Sequence, residues 1–293
     1  MSYKIEESEL IINADGSVFH LHLKPGQIAD TVILVGDPDR VELVASYFDS
    51  VEVKASNREF ISCTGTLKGK RISVVSTGIG TDNIDIVVNE LDALVNVDFN
   101  TREPKSEHTT LNLIRIGTSG SLQENLDVDS WLLSEKSIGF DGLLNFYANR
   151  NRVTDNAFEA AFTKHMNWNA QLTAPYVVDA DDQLVAKLGK HHSIRHGITI
   201  SAPGFYGPQG RVIRLQLADA NINDKISAFQ YQGKCITNYE MECSAIYGLS
   251  KLLGHRAATV CAIIANRKAG KYSKDYKPVV KDLIVHVLQC ITK

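Results

Sequence analysis

Short apolar runs of strand length alternate with longer segments of helical periodicity along this 293-residue chain. The runs that we predict as strands are Thr31 to Val35, Arg71 to Ser76, Leu111 to Ile116, Ser130 to Leu133, His196 to Ile200 and Ala257 to Ala265. The segments that we predict as helices are Arg40 to Phe48, Ile84 to Val95, Glu240 to Leu253 and a last helix that opens at Pro278. Strands that alternate with helices are typical of a sheet covered by helices. The pattern therefore predicts an α/β sandwich with a mixed, largely parallel sheet, in a single domain over residues 1–293.

The composition excludes several broad classes of function. Net charge is −3 and no apolar run approaches the roughly 18 residues of a membrane span, so we expect neither a nucleic-acid partner nor a membrane. The first residues mix Lys4 with Glu6 and Glu7, unlike a secretory signal. The five cysteines lack metal-ligand spacing, which indicates reduced thiols in a cytoplasmic protein.

The first predicted strand ends in a segment that suits an anion. Gly36 lets backbone N–H groups approach the anion, the next helix begins nearby, and Arg40 adds a cation. The alternative is an ordinary strand-to-helix turn, with Asp37 or Asp39 as the helix N-cap and Arg40 on the surface. This segment alone leaves both interpretations open.

Arg115 lies inside the third predicted strand, between Ile114 and Ile116. A buried guanidinium needs an anionic partner. The strand is followed by glycines and by the hydroxyls of Thr118 and Ser119, a combination that can cradle an anion. We therefore favour a functional role for Arg115 and its neighbours.

The segment 205–211 reads Phe-Tyr-Gly-Pro-Gln-Gly-Arg and combines an aromatic ring, an amide and a guanidinium. Gln209 offers a donor and an acceptor, and Arg211 offers a planar fork of donors. Together they would match a heterocycle that presents carbonyl, N–H and carbonyl groups. An ordinary surface loop is the alternative.

The segment from Asn238 to Cys243 places Glu240 and Glu242 around Met241. A carboxylate in a pocket wall can accept hydrogen bonds from two adjacent hydroxyls, such as those of a ribose, and we expect Glu242 to do so. The alternative is that Glu242 caps a helix N-terminus. His20, between two apolar residues, is either a packed histidine or a ligand-binding one.

The chain has no serine-hydrolase, zinc-protease or cysteine-histidine signature. A nucleophile is therefore expected to come from a ligand, and an anion held by several arginines is one that fits.

Eight segments, taken in order, resemble the nucleoside phosphorylase superfamily, and most closely its uridine phosphorylases. These segments are VFHLHL around Phe19, LVGDPDRV from Leu34, NREF from Asn57, VSTGIG from Val75, RIGTSG from Arg115, FYGPQGR from Phe205, NYEMEC from Asn238 and IIANR from Ile263. The resemblance covers nearly the whole chain, with longer spacing around residues 100–111 and 145–196. It implies a three-layer α/β/α sandwich with a mixed central sheet.

The resemblance also implies a role for each matching residue. The implied phosphate-binding residues are Gly36, Arg40, Arg58, Arg115 and Thr118. The implied ribose-binding residues are His20, Thr118, Met241 and Glu242. The implied base-binding residues are Phe205, Gln209, Arg211, Ile264, Ala265 and Arg267. Arg115, Gln209 and Arg211 would carry the catalysis, while Arg58 and His20 would reach the site of a neighbouring subunit.

Three positions depart from the pattern of the relatives. A monovalent cation such as K⁺ would lie at Glu59, Ile79 and Asn83, where Asn83 replaces an expected serine. Gly210 stands where the uridine phosphorylases carry a glutamate. Asn266 stands where a purine enzyme would carry a proton-donating aspartate.

The activity implied by the resemblance is reversible phosphorolysis of uridine to uracil and ribose 1-phosphate, in pyrimidine salvage and catabolism. Deoxyuridine is open as a second substrate, inorganic phosphate is the co-substrate, and no other cofactor is expected apart from the cation. A broader or purine-specific phosphorylase, a nucleosidase that uses water, and a catalytically silent nucleoside-binding protein are the alternatives. Trans-acting Arg58 and His20 would require at least a dimer, and the relatives suggest a homohexamer.

Overall fold

The computed structural model describes residues 3–293. Its strands are β1 (Thr31–Val35), β2 (Ser50–Asn57), β3 (Phe60–Leu67), β4 (Lys70–Ser76), β5 (Val97–Asp98), β6 (Glu103–Pro104), β7 (Asn112–Ser121), β8 (Trp131–Gly139), β9 (Tyr176–Asp179), β10 (Ile194–Ser201), β11 (Gln230–Tyr231), β12 (Lys234–Glu240), β13 (Arg256–Asn266) and β14 (Lys271–Tyr272). Its α-helices are α1 (Asp39–Ala45), α2 (Thr81–Asn96), α3 (Asn156–Met166), α4 (Asp182–Leu188), α5 (Ile222–Ala228), α6 (Cys243–Leu253) and α7 (Lys277–Thr292). Short 3-10 helices cover Leu143–Phe146, Arg150–Arg152 and Gly207–Gln209.

The large central sheet is mixed. Its main path of hydrogen-bonded strands runs β11-β12-β10-β8-β13-β7-β1-β4-β3-β2. Strand β1 pairs in parallel with β4 and with β7, and β7 pairs in parallel with β13. The carboxyl ends of these four strands therefore meet at one edge, where ligands bind in open α/β sheets.

The side chains of β1 show how the layers are arranged. Val32 and Leu34 belong to an apolar cluster with α2 and α6, whereas Ile33 and Val35 belong to a second cluster with α1, α4 and α7. Successive side chains of a strand point to opposite faces of its sheet. The fold is therefore a three-layer α/β/α sandwich with a mixed central sheet, which confirms the predicted fold class.

Two element boundaries differ from the prediction and bear on function. Strand β7 continues to Ser121, so Gly117 and Gly120 lie inside a strand and not in a turn after it. A Cβ atom at Gly117 would lie 2.0 Å from Nη1 of Arg115, so this glycine makes room for the guanidinium. Helix α6 begins at Cys243 and not at Glu240, which is the last residue of β12.

The segments 100–109 and 148–154 are largely exposed. Between residues 3 and 293, no helix has the length and apolar character needed to cross a membrane. The prediction that residues 1–293 form one domain stays a prediction.

Candidate active site

A buried arginine between two glutamates lies at the centre of the candidate site. Arg115 is 5% exposed, its Nη2 donates to Oε2 of Glu242, and its Nη1 lies 3.3 Å from Oε2 of Glu240. Burial alone would lower the pKa of Arg115, but the charges of Glu242 and Glu240 outweigh burial and raise it. The guanidinium therefore stays charged in the interior, held by the partners that a buried cation needs.

Glu240 has a structural role at the start of α6. Its carboxylate accepts the backbone N–H groups of Glu242 and Cys243, each at 2.9 Å, and the hydroxyl of Ser201 at 2.5 Å. The first N–H groups of a helix have no partner within the helix, so this carboxylate supplies one. Burial raises the pKa of Glu240 to about 7, although Arg115 opposes the shift.

Glu242 occupies the N-cap position of α6, but its side chain makes no capping bond. Its Oε1 instead accepts the backbone N–H of Gly80 at 2.8 Å, and its Oε2 accepts Arg115. Glu242 therefore lies at the helix start, as the alternative expected, but its side chain bonds Gly80 and Arg115 and not the helix. Each carboxylate oxygen can accept two hydrogen bonds, so a further acceptor position remains on each for a ribose hydroxyl.

The candidate phosphate residues other than Arg58 converge on the edge formed by β1, β4 and β7. Nη1 of Arg40 donates to the carbonyl of Ile116 at 3.4 Å, which brings this guanidinium to β7 just before Gly117 and Thr118. The loops after β1 and β4 also touch, because a Cβ atom at Gly36 would lie 3.3 Å from the carbonyl oxygen of Gly78. Burial lowers the pKa of Arg40, and the nearby positive charge of Arg115 adds to this effect. A bound anion would offset the repulsion between these two positive charges.

The base loop, which we define as residues 205–211, presents a paired amide and guanidinium. Gln209 is buried, and its Oε1 accepts Nη1 of Arg211 at 2.5 Å. The same Nη1 donates to the carbonyl of Phe205 at 2.5 Å, and the guanidinium carbon lies 3.8 Å from the centre of the Phe205 ring. Burial and the charge of Arg267 lower the pKa of Arg211 to about 10.

Strand β7 connects the two halves of the site. A Cβ atom at Gly120 would lie 4.0 Å from Nη2 of Arg211 and 3.9 Å from the carbonyl oxygen of Ala265. The base loop therefore meets the ends of β7 and β13, where Ile264 and Ala265 are half-buried. The strand that carries Arg115, which is predicted to bind an anion, thus ends beside the residues predicted to contact the base.

Comparison with known proteins gives the family to which the chain belongs. The family model described as the phosphorylase superfamily matches residues 30–286. The chain belongs to the phosphorylase superfamily. It is 29% identical over 280 residues to the uridine phosphorylase of Thermococcus kodakarensis, which covers 94% of this chain and 86% of that protein. It is 31% identical over 263 residues to the uridine phosphorylase of Escherichia coli K12, with coverage of 85% and 86%.

One solved structure is similar to this protein over nearly the whole of its chain. It is the Trypanosoma brucei nucleoside phosphorylase described as showing uridine phosphorylase activity, with a TM-score of 0.86 and 28% identity. The match covers 96% of this chain and 98% of that one. The predicted resemblance to nucleoside phosphorylases is confirmed.

The two residues predicted to act across a subunit interface lie near each other. Nδ2 of Asn57 donates to the carbonyl of His20 at 2.9 Å, and Arg58 follows it in an exposed turn. Nδ1 of His20 bonds Oε1 of Glu90 at 2.6 Å, so Nε2 stays available. Within residues 3–293, no hydrogen bond joins the Arg58 or His20 side chain to Arg115. Their action on a neighbouring phosphorylase subunit stays a prediction.

The predicted cation residues Glu59 and Asn83 are also in contact. Nδ2 of Asn83 donates to Oε1 of Glu59 at 3.2 Å, and Ile79 is exposed. The positive end of an amide N–H repels a metal ion, so the pair fits a hydrogen bond and not a cation site as it stands. The cation stays a prediction, and no step below depends on it.

A second group of possible metal ligands, Asp92, His108 and His255, fits a hydrogen-bonded network instead. Nδ1 of His255 accepts the backbone N–H of Leu111 at 3.1 Å, so Nε2 carries the proton and donates to Oδ1 of Asp92 at 3.1 Å. A metal ion would need that nitrogen without its proton.

Asn266 stabilises the loops around the site. Its Nδ2 donates to the carbonyls of Gln123 at 3.0 Å and Leu126 at 2.8 Å, and its Oδ1 accepts the backbone N–H of Ala269 at 2.9 Å. An ionised aspartate at this position would place a carboxylate oxygen, which only accepts hydrogen bonds, against carbonyl oxygens that also only accept them. The packing therefore favours the amide over a purine-type proton donor.

A cavity of about 1140 Å³ borders the base loop on the side of residues 166–173 and 213–219. Tyr206 and Arg211 line it, together with the exposed apolar side chains of Ile213 and Leu215. No motif in the sequence indicated this cavity, because residues 166–173 are distant in the chain from the base loop and from residues 213–219.

Proposed function

We propose that the protein is a pentosyltransferase that catalyses the reversible phosphorolysis of uridine to uracil and ribose 1-phosphate. One observation carries the proposal. The bonded pair of Gln209 and Arg211 meets the end of the same strand that holds Arg115, whose guanidinium contacts Glu242. Amide and guanidinium donors suit a pyrimidine edge, while a carboxylate bonded to a buried arginine suits a ribose next to an anion.

The proposed reaction needs no covalent enzyme intermediate. The bond between C1′ and N1 breaks, its electron pair leaves with the uracil, and an oxygen of inorganic phosphate bonds C1′. The sugar passes through an oxocarbenium-like state, as in glycoside cleavage. Phosphate held by Arg40 and Arg115, and by Arg58 of a neighbouring subunit, would face that positive charge. Holding both reactants in line can lower the barrier by about 7–11 kcal/mol.

The departing uracil gains negative charge on its carbonyl oxygens and ring nitrogens. Arg211 and Gln209 would stabilise that charge, by about 3 kcal/mol for each well-placed donor. Phe205 would stack near the base, and Ile264 and Ala265 would line its pocket. Glu242, with Met241 and Thr118, would hold the ribose.

Specificity follows from the same contacts. Glu242 would still contact a 3′-hydroxyl when the 2′-hydroxyl is missing, so deoxyuridine is included as a second substrate. The hydrogen bonds of Asn266 support pyrimidine over purine nucleosides, because the amide is committed to loop carbonyls.

The oligomeric state, the co-substrate and the cellular role are also proposed. We infer a homo-oligomer, at least a dimer and by analogy a hexamer, because Arg58 and His20 would complete a neighbouring site. Inorganic phosphate is the co-substrate, and K⁺ at Glu59, Ile79 and Asn83 stays a prediction. The enzyme would act in the cytoplasm, in pyrimidine salvage and nucleoside catabolism.

A spectrophotometric assay of base release, with and without phosphate, tests the function. The panel comprises uridine, deoxyuridine, thymidine, inosine and adenosine. Phosphate-dependent release of uracil is the expected result. Release without phosphate would indicate a nucleosidase, faster inosine cleavage would indicate a purine enzyme, and binding of uridine without product would indicate a silent binding protein. Any of these three results overturns the proposal.

A further inference from the structure

The base loop is held from behind by side chains that lie outside its own segment. The carbonyl of Gln209 accepts Nη1 of Arg267 at 3.0 Å and Nδ2 of Asn223 at 3.3 Å. The carbonyl of Gly210 accepts Nη2 of Arg267 at 3.2 Å and Nδ2 of Asn223 at 3.4 Å. Asn223, on α5, and Arg267, after β13, therefore bond the same two carbonyls.

The orientation of the Asn223 amide is set by one further bond. The hydroxyl of Tyr239, a buried residue of β12, donates to Oδ1 of Asn223 at 3.2 Å. With Oδ1 engaged by a donor, Nδ2 must face the base loop. The chain of contacts thus runs from Tyr239 through Asn223 to the backbone of Gln209 and Gly210.

Gly210 is the residue that lets Asn223 approach. It has a φ of +67°, and a Cβ atom there would lie 2.4 Å from Nδ2 of Asn223. Any side chain at position 210 would displace the amide. The glycine that departs from the family pattern and the asparagine on α5 therefore form one arrangement.

We infer that Asn223 is a positioning residue for the base. It holds Gln209 and Arg211 in place through the loop backbone and has no contact with the base itself. The inference rests on the proposed function, because its consequence is recognition of uracil. Misplacing a catalytic group by about 1 Å can cost about 100-fold in rate.

Steady-state kinetics of Asn223→Ala test this role. We expect kcat/KM for uridine to fall by about 10- to 100-fold with a raised KM for uridine, while the KM for phosphate stays within about twofold. Asn223→Asp has the same shape but lacks the N–H donors, so it should fall as far. Tyr239→Phe should give a smaller change in the same direction, with no added loss in the double variant.

Asn221→Ala is the matched control, because Asn221 is exposed at the start of the same helix and its side chain makes no capping bond. It should behave like wild type. Uridine constants within twofold of wild type in both Asn223 variants would overturn the inference. An equal rise in the KM for phosphate would do the same, since it would indicate general loosening.

Amide hydrogen exchange of the base loop separates this inference from the proposed function. The N–H groups of Gln209, Gly210 and Arg211 are bonded within the loop, so their exchange reports its opening. Asn223→Ala should speed this exchange and Asn221→Ala should not. Both results are expected whichever nucleoside the enzyme cleaves. Unchanged exchange in Asn223→Ala overturns the positioning role. A wild type that releases no uracil overturns only the proposed function.

Discussion

Oε1 of Gln209 accepts a hydrogen bond from Nη1 of Arg211 at 2.5 Å, so each of these side chains fixes the orientation of the other. The pair is therefore preorganised without a bound base. We therefore expect the two residues to act as a unit.

Removing the guanidinium should impair uridine cleavage severely. Arg211→Ala should lower kcat by about 100- to 1000-fold, because the charge on the departing base loses its main donor. Gln209→Ala should be nearly as poor, and the double variant should lose less than the sum of both effects, as residues in contact are coupled. Arg256→Ala, at an exposed arginine outside the site and the cavity, is the control. Additive losses would contradict the paired arrangement.

Glu240 should matter for stability. Glu240→Ala leaves the N–H groups of Glu242 and Cys243 unpaired and removes one partner of Arg115, so the free energy of unfolding should fall by roughly 3 kcal/mol. Urea denaturation measures this change. Glu124→Ala, at an exposed glutamate, should have little effect. An unchanged midpoint for Glu240→Ala would show that the helix start needs no such partner.

Asn266→Asp should not produce a purine enzyme. The new carboxylate would face the carbonyls of Gln123 and Leu126 without a donor, so we expect a loss of roughly 1–3 kcal/mol in stability. Thermal unfolding and an inosine assay check both parts. Appreciable inosine cleavage by a stable variant would refute this interpretation of Asn266.

The start of α3 should contribute to stability only above acidic pH. Asp155 caps α3 through the N–H of Phe158 and pairs with Lys136 at 2.8 Å. Burial alone would raise the pKa of Asp155, but these partners outweigh it and hold the pKa below the usual 3.8. The unfolded chain then binds the proton more readily, so this contribution is present above pH 3.8 and is lost as pH falls through the folded pKa.

Asp155→Ala should therefore cost about 1 kcal/mol in unfolding free energy at neutral pH. Urea titrations at pH 7 and at about pH 3 should show the difference from wild type shrinking at the lower pH. Asp182→Ala, at an exposed position, is the comparison. A difference that grows on acidification would reverse the sign and contradict the prediction.

A mixing experiment tests whether sites are shared between subunits. Arg58→Ala and Glu242→Gln should each be nearly inactive alone. When the two are unfolded and refolded together, hybrid dimers should carry one intact site, and about a quarter of wild-type activity should return. No recovery would mean that Arg58 acts within its own subunit.

The sequence predicted best those elements whose burial is continuous. Strands β1 and β7 lie in the middle of the sheet and are buried along almost their whole length, and both were predicted as strands. Strand β2 was not predicted, because it exposes most of one face and its sequence is largely polar. Glu240 was assigned to a helix because its polar character fits a helix start as well as a strand end.

Contacts between distant segments account for what sequence patterns could not reveal. Asn223 lies in no motif, Tyr239 lies in NYEMEC without an assigned role, and their relation to Gly210 exists only after α5 has packed beside β12. Gly117 resembled a turn residue, whereas its small size serves the side chain of Arg115 two positions earlier. In each case the decisive constraint is a neighbour in space.

Strand β7 has one more consequence. Arg115 and Gly120 are five residues apart on a single extended strand that rises about 3.3 Å per residue, so they stand some 17 Å apart along it. The side chain of Arg115 and the loop beside Gly120 must therefore both reach inward from fixed backbone positions to meet one small ligand. Because a central strand cannot stretch, we expect a change of preferred nucleoside to come from the loops beyond the strand end.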